Sequence, residues 1–210
     1  MCRHFEHHGF MTTSPTDKIL DRVREAGMLR PRDLEESEIP GTYLARLARR
    51  GLLARIGRGL YTLPGAPASE HHSLAAAAKR VPRGVVCLLS ALRYHGLTTQ
   101  SPFEVWMAIG EKDRRPKAEG QALRIVRYSP PTLQSGVDTH LIDGVRVSVF
   151  SPAKTVADCF KYRNKIGIDV AIEALKDCVQ RRRCPADELV RYARVCRVWN
   201  VMRPYMEAVA

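Results

Sequence analysis

The 210-residue chain has no apolar run approaching eighteen residues and no hydrophobic stretch behind a basic start, so its pattern shows neither a membrane span nor a secretion signal. It lacks a glycine-rich phosphate loop, HExxH and GxSxG, the short signatures of nucleotide hydrolysis, zinc proteolysis and serine hydrolysis. It also lacks the acid-x-Lys pair of restriction-type nucleases. Glu111 and Lys112 are adjacent and would point to opposite faces of a strand, and Glu104-Val105-Trp106 has no lysine partner. The acids left for a metal-dependent nuclease are Glu104, Glu111, Asp113, Asp138, Asp143 and Asp158, while His95 and His140 have no evident base or nucleophile beside them in sequence. The six cysteines (Cys2, Cys87, Cys159, Cys178, Cys184, Cys196) form no CxxC pair and no disulfide framework; all but Cys2 and Cys184 sit among apolar neighbours. Reduced thiols in a cytoplasmic protein without cofactor, metal or catalysis are therefore expected.

One stretch lacks acid altogether. Pro40 to Pro64 carries Arg46, Arg49, Arg50, Arg55 and Arg58 and no Asp or Glu. At about 100° per residue, Leu44, Leu47 and Ala48 share one side of a helix, and Thr42, Tyr43, Arg46, Arg49 and Arg50 share the other. Gly51 then ends the helix, and Gly57-Arg58-Gly59 turns a hairpin whose two glycines are expected at positive φ. A short basic helix followed by a basic hairpin is how a winged helix-turn-helix presents itself to duplex DNA. Arginine pairs with guanine edges in the major groove, Thr and Tyr reach phosphates or bases, and a wing arginine lies along phosphates or in a minor groove. The bland alternative is a solvated basic helix on a small domain.

Upstream, Ser14-Pro15-Thr16-Asp17 starts a helix that runs to Ala26 with Ile19, Leu20 and Val23 inward, and Gly27 stops it. Pro31 to Ser37 is expected as a second short helix. The first eleven residues read as a disordered tail; Cys2, His4, His7 and His8 have no turn to hold them as metal ligands, and Met11 is an alternative start. Residues 12–66 form the expected DNA-binding domain, and the proline- and glycine-rich Leu63 to Ser69 is the linker.

The remaining residues, 67–210, read as a second, mixed α+β domain with helices weighted to the C-terminus. Helix is expected over Glu70 to Val81, a short strand or turn at Val85 to Leu88, and a helix capped by Ser90 over Ala91 to His95. Strands are expected at Phe103 to Ile109, Leu123 to Tyr128 and Val145 to Phe150, the last entered by an Asp143-Gly144 turn. Ser151-Pro152 opens a helix to Phe160, and helices marked by Ile168 to Val179 and led by Pro185 follow. The net charge is +12, and from Ala66 onward 23 Lys and Arg face 14 Asp and Glu, so both halves favour an anionic partner.

The GRGLY wing, the SALRYHGL segment and VFSPAKTVADCFKYRNKIGIDVAIEAL together resemble the AbiEi-type antitoxins of type IV toxin–antitoxin, abortive-infection operons, from about Ser14 onward and only loosely after Arg183. The resemblance implies a transcriptional repressor that binds inverted repeats in its own promoter through the N-terminal domain. It also implies a C-terminal domain that counters a nucleotidyltransferase-like toxin without a stable complex being required. Carried over by position, the DNA-facing residues are Thr42, Tyr43, Arg46, Arg49, Arg50 and Arg58. Ser151, Lys154, Thr155, Asp158, Tyr162 and Arg163 match the second motif. Lys154, Asp158, Lys161, Tyr162, Arg163 and Lys165 are the candidates for a partner-binding patch. Their plain readings are an N-cap for Ser151, core for Thr155, and for Asp158 a pair with Lys154 or Lys161 worth a few tenths of a kcal/mol along an exposed helix. A stand-alone regulator with a ligand-sensing second domain and a metal-dependent nuclease are the alternatives. Inverted repeats are usually read by two copies, so pairwise occupancy of the operator is expected, whether or not the free protein dimerises.

Overall fold

Local capping signals set where the first helices begin. In the computed structural model, which describes residues 14–66, 69–116 and 121–209, the Ser14 hydroxyl accepts from the Asp17 amide at 3.2 Å and α1 runs Pro15–Ala26. The N-terminal segment read as a tail lies outside the described residues. The chain divides into two compact units, Met1–Ala66 and Pro67–Ala210.

In the first unit, Pro31–Leu34 is a single 3₁₀ turn, shorter than the helix expected over PRDLEES. Leu34 is its one buried residue, and the exposed Glu35 and Glu36 after it offer no apolar face to hold a further turn. Helix α2 spans Thr42–Arg49, and the hairpin pairs β1 (Ala54–Gly57) with β2 (Leu60–Thr62). Leu29 adds a bridge to Tyr61, its amide and carbonyl each bonding Tyr61 at 2.9 Å. Ile19, Val23, Leu34, Leu44, Leu47 and Leu53 close the core between the helices and this small sheet. Of the two wing glycines only Gly59 has positive φ, at 62°; Gly57 stays in the strand, where the register shifts between Arg55 and Gly57. Gly59 takes its positive φ without strain because it has no Cβ, and the irregular register supplies the rest of the turn.

The second unit is mixed α+β. Helix α3 (His72–Arg80) precedes β3 (Val85–Val86), α4 (Leu88–Tyr94), β4 (Val105–Gly110), β5 (Leu123–Tyr128), the short α5 (Pro130–Gln134), β6 (Val137–Ile142) and β7 (Val145–Phe150). The five strands lie in the order β5-β4-β3-β7-β6; β3 is antiparallel to β4 and parallel to β7, β4 is parallel to β5, and β6 is antiparallel to β7. The β6–β7 turn has Asp143 at φ 47° and Gly144 at φ 73°, the two positive values of a type I′ hairpin. Helices α6 (Pro152–Lys161), α7 (Arg163–Ile166), α8 (Ile168–Gln180), α9 (Ala186–Val195) and α10 (Trp199–Val209) follow. Helix α6 packs against α4, α8 and α9, so Ala153 through Phe160 are all buried.

Several local expectations change. Ser90 does not cap α4; Cys87 stands at the N-cap, and the buried Ser90 hydroxyl accepts from the Trp106 amide at 3.0 Å. Phe103 is 90% exposed and precedes β4. Strand β6 carries Asp138, Thr139 and His140 at the sheet edge, where polar residues are tolerated and no apolar run announces the strand. Cys178 and Cys184 are bridged, with Cα atoms 5.4 Å apart, which corrects the expectation of six reduced thiols; Cys87, Cys159 and Cys196 are free and buried.

The approach of the 3₁₀ turn to α2 leaves no room at Gly41, where an added Cβ would stand 2.6 Å from the Pro31 Cβ and 3.0 Å from its Cα. Gly41→Ala should therefore cost the first unit about 1–3 kcal/mol, seen as an earlier denaturation of that unit with the second unchanged. An unaltered transition would contradict this packing.

Candidate nucleic-acid interface

Leu44 and Leu47 are both 0% exposed, and this sets the rotation of α2. Thr42, Arg46, Arg49 and Arg50 consequently point to solvent, and Ala48 is half-buried. Tyr43 is also half-buried. Its hydroxyl is hydrogen-bonded to that of Thr16 on α1 at 3.2 Å, and the Arg46 guanidinium lies 3.7 Å from its ring centroid. The ring thus braces Arg46 by cation–π stacking and restricts where that charge can go. After Arg50, the Leu52 amide bonds the Leu47 carbonyl at 3.0 Å with Gly51 at φ 73°, a helix stop that returns the chain to the hairpin.

The hairpin adds two more exposed cations, Arg55 and Arg58, beside the 39% exposed Ile56. Arg55 Nε donates to the Gly57 carbonyl at 3.2 Å. Thr62 Oγ1 donates to the Gly27 carbonyl at 2.9 Å, tying β2 to the end of α1. Thr42, Tyr43, Arg46, Arg49, Arg50, Arg55 and Arg58 thus stand on one helix and its adjoining hairpin. The contribution of Thr16 to holding Tyr43 was not legible from helix periodicity, since the two residues are far apart in sequence.

The second group of candidates divides. Lys154 and Asp158 are 0% exposed and form an ion pair, Nζ to Oδ2, of 2.5 Å inside the helical core. They therefore cannot belong to a surface patch, and their pairing is not the weak exposed one expected from spacing alone. Lys154 Nζ lies 4.0 Å from the Phe150 ring centroid and 5.1 Å from that of Tyr128, and the Cys196 thiol donates to Asp158 Oδ1 at 3.1 Å. Burial raises the Asp158 carboxyl above its ordinary value against the opposing pull of Lys154. Burial likewise pushes up the thiols of Cys87, Cys159 and Cys196, so none is poised as a thiolate nucleophile. Ser151 caps α6, accepting from the Lys154 amide, and Thr155 Oγ1 donates to the Phe150 carbonyl at 3.1 Å. Lys161, Tyr162, Arg163 and Lys165 remain at or near the surface.

The acids considered for a nuclease are dispersed and largely committed. Glu104 pairs with Arg124 at 3.3 Å, Asp113 with Arg83 at 2.7 Å, and Asp143 with His72 at 2.8 Å. Among the described residues no group of three or more His, Cys, Asp or Glu is placed to hold a metal. His95 Nε2 bonds the Phe150 carbonyl at 2.7 Å, and burial lowers its basicity. No described helix is long and apolar enough to cross a membrane.

Residues 17–64 match the family model described as transcriptional regulator, AbiEi antitoxin. No curated protein sequence matches the chain. The fold is similar to the crystal structure of the RV2827C protein from Mycobacterium tuberculosis, with a TM-score of 0.60 at 13% identity over 93% of this chain and 77% of that one.

Because the Lys154–Asp158 pair is sealed from water, breaking it and removing it should differ. Asp158→Ala, which leaves a buried ammonium unpaired, should cost the second unit about 3–5 kcal/mol. The double change Lys154→Met/Asp158→Leu should recover most of that loss. Equal destabilisation by the two variants in denaturant titrations would contradict the burial of the charges.

Proposed function

We propose that the protein is a DNA-binding antitoxin of the AbiEi type that represses its own operon. Residues 12–66 serve as the DNA-binding domain and residues 67–210 oppose a nucleotidyltransferase-like toxin. The observation that carries the DNA half of this reading is the exposed Arg46, Arg49 and Arg50 face, held by two fully buried leucines and flanked by the Arg55–Arg58 hairpin. Arg46 and Arg49 enter the major groove with Thr42. Tyr43 braces Arg46, Arg50 meets phosphate at the end of α2, and Arg55 and Arg58 follow the adjoining backbone. Two copies occupy the two halves of an inverted repeat, since a single module of this size makes few base contacts.

The toxin half rests on the family resemblance of the second domain. With Lys154 and Asp158 buried, Lys161, Tyr162, Arg163 and Lys165 form the surface that a partner would meet. A stand-alone regulator whose second domain takes a ligand is the other reading; a cationic cavity in that domain favours it. Gene context separates the two, because an adjoining nucleotidyltransferase-like gene belongs only to the antitoxin.

A gel shift with the DNA upstream of the gene, in the presence of competitor, tests the repressor claim. Wild-type protein should give a specific shift, and Arg46→Ala/Arg49→Ala should weaken it by tens-fold or more, at about 1–3 kcal/mol for each lost bidentate contact. No specific shift by the wild type, or an equal shift by the variant, would remove the claim.

A further inference from the structure

A cavity of about 300 Å³ opens on the second unit, lined by Arg115, Ile125, Val126, Arg127, Tyr162 and Lys165. Of these six described side chains three are cationic and none is acidic. Arg127 donates to the carbonyls of Gly110 at 3.1 Å, Asp113 at 3.0 Å and Glu111, holding the loop after β4. Those acceptors are neutral carbonyls and bring no counter-charge to the guanidinium. Of the two acids on that loop, Asp113 pairs with Arg83 at 2.7 Å and accepts from the Gly110 amide at 3.0 Å, and the exposed Glu111 meets Arg127 through its carbonyl. Arg115 and Lys165 have no acidic partner among the described residues.

The aromatic wall is equally fixed. Tyr162 donates its hydroxyl to the Arg127 carbonyl at 3.0 Å, its ring packs on Tyr128 with centroids 5.4 Å apart, and Lys165 Nζ lies 5.5 Å from the ring centroid. Burial raises the phenol well above its usual value, so it remains a neutral donor. Three like charges around one concavity repel each other, and an anion bound between them removes that repulsion. The volume exceeds that of a bare inorganic ion and falls at the lower end of small-molecule sites.

We propose that this cavity binds a phosphate-bearing ligand of nucleotide size, its phosphate held by Arg115, Arg127 and Lys165 and its attached ring or sugar against Tyr162 and Ile125. The phosphate can come from a free nucleotide or from the backbone of a nucleic acid; the same cations recognise both. The residues of this site all belong to the second unit, and its existence does not depend on the DNA-binding reading of the first unit.

Calorimetric titration of the full chain with ATP, with inorganic pyrophosphate and with a short single-stranded oligonucleotide unrelated to the promoter tests this. Saturable binding of ATP, weakened about tenfold or more by Arg115→Ala/Lys165→Ala with the promoter shift unchanged, supports the site with a free nucleotide as its source. Saturable binding of the oligonucleotide alone, with the promoter affinity also reduced in the variant, supports it with the backbone as its source. Lys165→Glu should abolish either, while thermal melts of all variants match the wild type because Arg115 and Lys165 are exposed. No saturable binding by any phosphate probe, binding equal in the variants, or variant-sensitive capture of a poly-glutamate peptide in place of the phosphate probes would overturn the proposal.

Discussion

The rotation of α2 is the constraint on which the reading of the first unit depends. An eight-residue helix has only one apolar stripe to bury, and Leu44 and Leu47 fill it completely. Once they are inside, the arginines have no other place than the outer face. Gly41 permits the close approach of the preceding turn, and the Leu52–Leu47 bond with Gly51 brings the hairpin back beside the helix. Charge placement here follows from packing.

The second unit uses charge differently. Its central helix, α6, is surrounded by other elements on all sides, and a Lys and an Asp four residues apart are buried together within it. Such a pair gives little net stability compared with apolar residues of the same size, but leaving either partner alone is costly. Three of its surface cations, Arg115, Arg127 and Lys165, gather around a cavity with no acidic side chain among its described lining residues.

Much of the architecture was legible in the sequence because it is encoded locally. Ser14-Pro15 and Ser151-Pro152 start helices through the same cap geometry, and the Asp143-Gly144 pair turns a hairpin because both residues tolerate positive φ. The face of α2 followed from a 3.6-residue period. Features that depend on distant chain were hidden. The spacing of Lys154 and Asp158 is identical for an exposed pair and a buried one, so only the surrounding helices reveal which it is. Strand β6 is polar because it lies at a sheet edge, and a sequence window cannot see an edge. Ser90 looked like a cap because its partner, the Trp106 amide, belongs to another strand. Arg127 showed no sign of its loop-holding role, since its three acceptors are backbone carbonyls of a preceding segment.

The salt dependence of promoter binding tests the central claim, that the arginine face of α2 meets the DNA backbone and base edges, most directly. Fluorescence anisotropy of a labelled promoter duplex should give a linear fall of log affinity with log salt, steepening by about 0.9 for each phosphate neutralised. The wild type should have a steep slope and Arg46→Ala/Arg49→Ala a shallower one, together with loss of sequence preference. A slope near zero, or one left unchanged by the double substitution, would show that these arginines face something other than DNA.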